Sequence, residues 1–267
     1  MNRRRVFNTS PDRNILPIVA KVLNDRRGYI SKLPEARKAV IIISGGLDSI
    51  ATSAFLIQEL KMELYPLHIR RGQTNHVAED RSVDFFTNFF QKKYGSDKFH
   101  EPQKISVNIP PSEIKSGLIN HMKQYGYPMR DPVMHLLGVQ YAIAVSDKIR
   151  SDIRDVYCAI VPEDYFPHSS LAGLRVNTLN TCINMNDWRW NLSAPNIDPL
   201  LLNNTFGKKE EIMWSMTNDI PIGETISCNL ANSDTNYLAC GTCSSCSRRS
   251  KSFLDAGFDD PTRYYKE

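Results

Sequence analysis

Ser44-Gly45-Gly46-Leu47-Asp48-Ser49, directly behind the apolar run Lys38-Ala39-Val40-Ile41-Ile42-Ile43, is the stretch that decides the fold. The apolar run, rich in β-branching, predicts a buried strand, and Ile50 to Leu60 (IATSAFLIQEL) predicts the helix that follows. The glycines therefore fall at a strand-to-helix turn. There they can take backbone angles closed to other residues and let main-chain N–H groups approach a ligand with no Cβ in the way. Those donors, with the positive end of the next helix, make a site for an anion such as pyrophosphate.

Around this loop the chain has 267 residues, enough for one domain with a small appendage. A formal charge of +4 suits an anionic small molecule without demanding nucleic acid. No run of 18 apolar residues is present, so no membrane span is expected. The start Met1-Asn2-Arg3-Arg4-Arg5 is basic but no apolar secretory segment follows, and the expectation is a cytoplasmic protein. Three regions are expected: an N-terminal extension over 1–37, a nucleotide-binding domain over 38–220 and a C-terminal lobe over 221–267.

Four of the six cysteines crowd toward the C-terminus, which in a reducing compartment argues for metal rather than cross-links. Cys240-Gly241-Thr242-Cys243-Ser244-Ser245-Cys246 places three thiols at successive C-x-x-C steps, and Cys228 precedes them by eleven intervening residues of loop-like composition. Four thiolates describe a closed, structural Zn²⁺ site, since a catalytic zinc keeps one position open for water. An iron-sulfur cluster is the rival, because four cysteines suit that chemistry too. Cys158 and Cys182 read as small buried hydrophobes.

The glycine loop lacks the G-x-x-x-x-G-K-S/T spacing of the Walker type, so it has no lysine of its own. Its S-G-G-x-D-S form resembles the PP-loop of ATP pyrophosphatases, in which the loop grips the β and γ phosphates of ATP while a substrate oxygen attacks the α phosphorus. That resemblance implies that Ser44, Gly45, Gly46, Leu47 and Ser49 bind phosphate oxygens and that Asp48 helps place Mg²⁺. Asp48 and Ser49 then count among the catalytic residues.

The tail adds Thr225-Ile226-Ser227-Cys228, the cysteine cluster, Arg248-Arg249, Phe253, Ala256-Gly257 and Asp259-Asp260-Pro261. Together these resemble the C-terminal signature of the QueC family, the 7-cyano-7-deazaguanine synthases. The similarity runs from about Lys38 to Tyr265, and Gly72-Gln73-Thr74-Asn75-His76 looks like the family's G-Q-x-H loop. The resemblance implies an ATP-consuming reaction on 7-carboxy-7-deazaguanine: the carboxylate is adenylated, ammonia gives an amide, and a second adenylation gives the nitrile. Adenylation makes chemical sense, because a carboxylate is anionic and lacks a good leaving group. Gln73 would serve the nucleotide, His76 the substrate, and Lys209, in the family's K-x-E-I position, the phosphates. Family enzymes are often dimers, which implies a homodimer.

Three departures bear on the substrate and the N-terminus. Where the family has an R-N pair at a helix start, this chain has Pro128-Met129-Arg130-Asp131-Pro132, keeping the arginine and replacing the amide with a carboxylate. Arg130, with a catalytic as well as a binding role, and Asp131 are the substrate residues expected there. The family's Y-P-D-C-R is replaced by Phe166-Pro167-His168-Ser169-Ser170, losing an acid suited to a guanine edge and an arginine suited to a carboxylate, while Asp164 survives upstream. The leading segment to Arg37 is extra; Asn14 to Leu23 suits a short amphipathic helix, capped near Ser10 or Asp12, that covers the core or docks a partner.

The fold expectation is an α/β doubly wound parallel sheet of the PP-loop type with a small zinc-binding lobe. Its strands are Val40 to Ile43, Glu63 to Ile69, Lys104 to Val107 and Val156 to Ile160, with helices near 50, 78, 133 and 209. A close functional rival comes from QueC-like proteins of bacterial antiviral operons, including type IV CBASS, where the acyl group passes to an amine of a partner protein. A different class of reading is a zinc-knuckle module holding RNA or protein through Arg248, Arg249, Lys251 and Arg263, disfavoured by the lack of interleaved aromatic residues.

Overall fold

The computed structural model describes residues 12–164, 170–203 and 206–265. The basic start, the Ser10 cap and the segment from Phe166 to Ser169 lie outside the described residues. In chain order the elements are α1 (Asp12–Arg27), β1 (Lys38–Ile43), α2 (Leu47–Gln58), β2 (Glu63–Arg70), α3 (His76–Tyr94) and β3 (Gln103–Ser106). Then come α4 (Ser112–Lys115), α5 (Ile119–Tyr125), α6 (Arg130–Ile149), β4 (Asp155–Tyr157), α7 (Leu171–Met185), β5 (Asn191–Ser193), α8 (Lys208–Thr217) and α9 (Ser244–Ala256). The strands form one five-stranded sheet in the order β3-β2-β1-β4-β5. Its pairings β1 with β4, β2 with β3 and β4 with β5 are parallel, as the alternation of strands with helices predicts. By compactness the chain divides into two interleaved units, residues 1–42 with 108–205, and residues 43–107 with 206–267.

In the first unit β1, β4 and β5 are buried on both faces, with Val40 opposite Val156 and Ile41 opposite Tyr157. Helix α6 approaches this sheet so closely that a Cβ at Gly138 would stand 2.6 Å from Val156 Cγ1, so a larger residue there would force the Val156 side chain to shift. Helix α1 packs against α7 and buries Val19 and Leu23 completely or nearly so. Its last residue, Arg27, donates through Nη1 to Trp190 O at 2.5 Å and through Nη2 to Ile30 O at 2.5 Å. The expected helix therefore exists and is longer than the apolar stretch that predicts it; it lays Val19 and Leu23 against this unit while Ile15, Ile18 and Val22 stay exposed.

Two buried polar groups tie the same unit together. Arg175 and Asp198, both almost fully buried, pair at 2.7 Å, and Ser193 Oγ donates to the same carboxylate at 2.6 Å. Asp155 accepts from Asn191 Nδ2 at 2.9 Å and from the Tyr157 hydroxyl at 3.1 Å. Burial nevertheless dominates and pushes its carboxyl up to about 7.

The second unit builds its core from Ile50, Leu56, Leu64, Leu67, Val83, Ile212 and Phe253, all fully buried. A run of rings, Phe86, Phe90 and Phe99, packs at centroid distances of 5.6 and 5.0 Å. Helix α8 packs against both α2 and α9, so the C-terminal helices are integral to the unit that carries the glycine loop.

Candidate functional site

The loop after β1 is shaped by what surrounds Gly45. Its φ is +74°, and a Cβ there would meet Glu79 O at 2.8 Å and Ser82 Cβ at 2.9 Å, so any other residue would be strained in backbone angle and crowded by its neighbours. The Gly45 carbonyl is tied back by two donors, Ser82 Oγ at 2.8 Å and Ile226 N at 3.0 Å. Ser49 Oγ donates to Gly46 O at 3.0 Å and accepts from Ser44 N at 3.3 Å, while Gly46 N donates to Ser44 Oγ at 3.3 Å. No side chain caps α2, whose N-cap is Gly46. The first-turn N–H groups of α2 therefore receive no side-chain cap from the N-cap position.

Asp48, in the first turn of α2, is gripped by Lys208 Nζ at 2.5 Å from each carboxylate oxygen. Both side chains are largely shielded from solvent, at 25% and 18% exposed. Lys208 is the first residue of α8, whose start is organised by Gly207 N donating to Glu210 Oε2 at 3.1 Å. Lys209, the lysine expected from sequence, is exposed on the same helix. Adjacent lysines on a helix point about 100° apart, so only one can meet the loop, and no one-dimensional signal says which.

The start of α3 braces the loop from the other side. Gln73 Oε1 accepts from Arg71 N at 2.7 Å, and Gln73 Nε2 donates to Glu79 Oε2 at 2.5 Å. Buried Glu79 also takes Arg71 and Asn75. Asn75 Nδ2 reaches further, to Cys228 O at 3.0 Å, joining α3 to the segment that carries the first cysteine. His76 is exposed, with Nδ1 3.1 Å from Gln73 O. Sequence reading missed Asn75 and Glu79; the signal available was a polar cluster at a helix start. His68, fully buried on β2, has Nδ1 3.0 Å from Ile43 O and Nε2 2.9 Å from Asp80 Oδ1. It fixes the end of β1 from which the loop departs.

The Sγ atoms of Cys228, Cys240, Cys243 and Cys246 all lie within 4.8 Å of one another and could hold a metal ion. Closest pairs are Cys243–Cys246 at 3.5 Å, Cys243–Cys228 at 3.9 Å and Cys240–Cys246 at 4.0 Å. A tetrahedral ion with Zn–S bonds of about 2.3 Å separates its sulfurs by about 3.8 Å. The sulfurs also receive main-chain donors: Leu230 N and Cys240 N reach Cys228 Sγ at 3.3 Å each, and Cys243 N reaches Cys240 Sγ at 3.4 Å. Such N–H···S bonds favour thiolate. Burial raises the Cys240 thiol, but the Thr242 hydroxyl and backbone donors outweigh it and bring it down to about 6.

Behind the cluster, Arg249 is 5% exposed and spends its guanidinium on Thr225 Oγ1 and Ile222 O, both at 2.7 Å, and on Asp260 at 3.3 Å. Lys251 pairs with Asp255 and Arg263 with Glu224. Of the cations that suggested a nucleic-acid surface, Arg249 is thus an interior strut.

Arg130, Asp131 and Asp164 belong to the other unit. Arg130 Nε donates to buried Asp131 Oδ1 at 2.8 Å at the start of α6, and Asp164 Oδ2 accepts from Val161 N at 3.2 Å. Pro132 falls in the first turn of α6, where a missing N–H costs nothing. Ser170, which stands where the sequence comparison placed an arginine, caps α7 by accepting from Gly173 N at 3.1 Å. Among the described residues no helix is long and apolar enough to cross a membrane.

Comparison with known proteins adds the following. The family model for the queuosine biosynthesis protein QueC matches residues 38–257. The 7-cyano-7-deazaguanine synthase of Hydrogenovibrio crunogenus is 26% identical over 250 residues, covering 86% of this chain and 97% of that protein. The enzyme of the same description from Methanococcus maripaludis is 27% identical over 252 residues, covering 86% of this chain and all of that protein. Among solved structures, the U34-tRNA thiolase NcsA of Methanococcus maripaludis with its 4Fe-4S cluster aligns at a TM-score of 0.36 with 12% identity, over 78% of this chain and 66% of that one.

Proposed function

The chain belongs to the QueC family, and from that premise we propose that it adenylates the carboxylate of a 7-deazapurine, 7-carboxy-7-deazaguanine, with ATP and passes the acyl group to an amine, releasing pyrophosphate and AMP. The observation that carries this reading is the Gly45-Gly46 turn, whose carbonyl is tied back by Ser82 and Ile226 and which opens onto an uncapped helix. Such a turn offers main-chain donors to outer phosphates without rearrangement, and preorganised donors stabilise charge that develops in the transition state. Ser44 and Ser49 add hydroxyls to the same cradle, with Leu47 in the first turn behind them.

Asp48 would hold Mg²⁺, which would neutralise phosphate charge when bound. Lys208 supplies a cation beside it, at the position this reading gives to the phosphate-following lysine in place of Lys209. Zn²⁺ fits the four cysteines on two counts: the sulfur spacing suits a single ion better than a cluster with several irons between the thiolates, and every position is filled, leaving none for water. Its contribution is structural. Arg130, Asp131, Asp164 and His76 are the residues proposed for the substrate, and Gln73 serves the nucleotide by bracing the α3 start.

A second reading, transfer to an amine of a partner protein as in the QueC-like antiviral proteins, is favoured by Ser170. Its hydroxyl is spent on a helix cap at the position where a base- or carboxylate-reading arginine was expected. Incubation with ATP, Mg²⁺ and 7-carboxy-7-deazaguanine, with and without ammonia, tests both. Pyrophosphate with AMP supports adenylation, and ADP as product refutes it. Ammonia-dependent nitrile supports the metabolic role; an amide-stage stop with mass added to a co-expressed protein supports conjugation.

A further inference from the structure

Cys228 is where the thiol cluster meets the glycine loop, and every residue involved belongs to one unit. Two positions before it, Ile226 N donates to Gly45 O at 3.0 Å, so the segment that delivers the first thiol also holds the glycine turn. At Cys228 itself the carbonyl accepts from Asn75 Nδ2 at 3.0 Å, and the next carbonyl, Asn229 O, accepts from Thr74 Oγ1 at 3.1 Å. Asn75 is 5% exposed, and the same Nδ2 reaches Glu79 Oε1 at 3.2 Å. Both partners only accept, so the NH₂ end of the amide is the one that faces them. Glu79 in turn takes Gln73 Nε2, and its main-chain oxygen is the atom a Cβ on Gly45 would strike.

Apolar packing closes the same join. Ala78, on α3, is buried in one cluster with Cys228, Ala231, Ala239 and Cys246, against which Ile226 and Tyr237 pack. Ser82, one turn further along α3, donates to Gly45 O at 2.8 Å. One turn of α3 thus touches the thiol segment and the next touches the glycine turn. The energy of binding an ion in such a knuckle is folding energy, so loading the thiols stiffens residues 226–230 and with them the Ile226 donor to Gly45.

We propose that a metal ion in the four-thiol centre and a nucleotide on the glycine loop bind cooperatively, with Asn75 as the positioning residue that couples the two sites; this rests on the nucleotide reading above. Linkage makes the effect reciprocal: if the loaded thiols raise nucleotide affinity by some factor, bound nucleotide raises metal affinity by the same factor. Loss of the metal then weakens ATP binding with no change to any residue that faces the phosphates.

The test titrates the full zinc-loaded chain with a zinc-selective chromogenic chelator, with and without a saturating non-hydrolysable ATP analogue in excess Mg²⁺. Zinc release is read by absorbance, and calorimetry measures binding of the analogue to the same protein. The analogue should raise zinc affinity about tenfold. Analogue binding with zinc affinity unchanged overturns the proposal and leaves the nucleotide reading standing; no analogue binding overturns both. Ligands also protect a fold in general, and N75A separates that effect from the coupling. At saturating analogue its zinc affinity should rise by no more than about twofold. Should N75A fail to fold, N75S takes its place with the same expectation. Protection undiminished in the folded variant would also overturn the proposal.

Discussion

Lys208 Nζ lies 2.5 Å from each carboxylate oxygen of Asp48, so the acid in the glycine loop is neutralised by a lysine 160 residues away in sequence. Removing one partner of a largely shielded pair leaves a poorly solvated charge on the other. K208M should lower kcat/KM for ATP-dependent pyrophosphate release by roughly 100-fold or more, while K209M should change it by no more than about threefold. Steady-state pyrophosphate assays on the two variants check this; equal losses would remove Lys208 from the site.

G45A sets a side chain against Glu79 O and Ser82 in a left-handed backbone position. The strain should cost on the order of 1–3 kcal/mol in urea unfolding. Pyrophosphate release should fall further than stability accounts for, because the tied-back carbonyl defines where the donors point. A variant with wild-type turnover would show that the loop does not need this conformation.

Asp155 makes the first unit sensitive to alkali. Burial raises its carboxyl from an ordinary 3.8 to about 7, so the folded state holds a proton that the unfolded chain has already lost. That contribution is full below pH 3.8 and disappears as pH rises through about 7. Stability should therefore fall by on the order of 2 kcal/mol between about pH 5.5 and 8.5 through this group. D155N should flatten that segment of the profile in urea titrations. A wild-type curve that rises over the interval, or a D155N curve with unchanged slope, would contradict it.

The cysteine cluster predicts about one zinc per chain by elemental analysis. Chelation, or C243S, should lower the thermal midpoint and expose the α9 region to proteolysis, because metal-binding energy in such knuckles is folding energy. Visible absorbance with stoichiometric iron would replace zinc by an iron-sulfur centre.

Arg249 should behave as interior structure. R249A strands Asp260 at a shielded position and removes the donors to Thr225 and Ile222, a loss of about 3–5 kcal/mol. R248A, on an exposed neighbour, should leave stability within roughly 0.5 kcal/mol of wild type. Comparable losses in both would place the Arg249 bonds outside the folding energetics.

Four of the five strands were legible: β1, β2 and β4 are rich in buried apolar residues, while β3, Gln103-Lys104-Ile105-Ser106, is a largely polar edge strand. The fifth, β5, was not: Asn191-Leu192-Ser193 is three residues long and polar at both ends. Its burial depends on Asp155, Asp198 and Thr178 arriving from elsewhere to bond those polar groups. Helix α7 escaped for a related reason, since its inward face carries Arg175 and Thr178 rather than a clean apolar stripe. Cys158 is buried, as its reading as a small hydrophobe predicts; the neighbouring His135 was not legible because it comes from another element.

The order of residues alone determined the strand–glycine–helix turn, the family and the four thiols, because each is a local pattern whose chemistry follows from neighbours a few positions apart. Tertiary structure decided which of two adjacent lysines meets Asp48, what holds the Gly45 carbonyl, and that Asn75 joins the Cys228 carbonyl to Glu79. Those outcomes turn on directions and distances of a few ångströms between segments far apart in the chain. Packing sets such distances, and a one-dimensional pattern does not carry them.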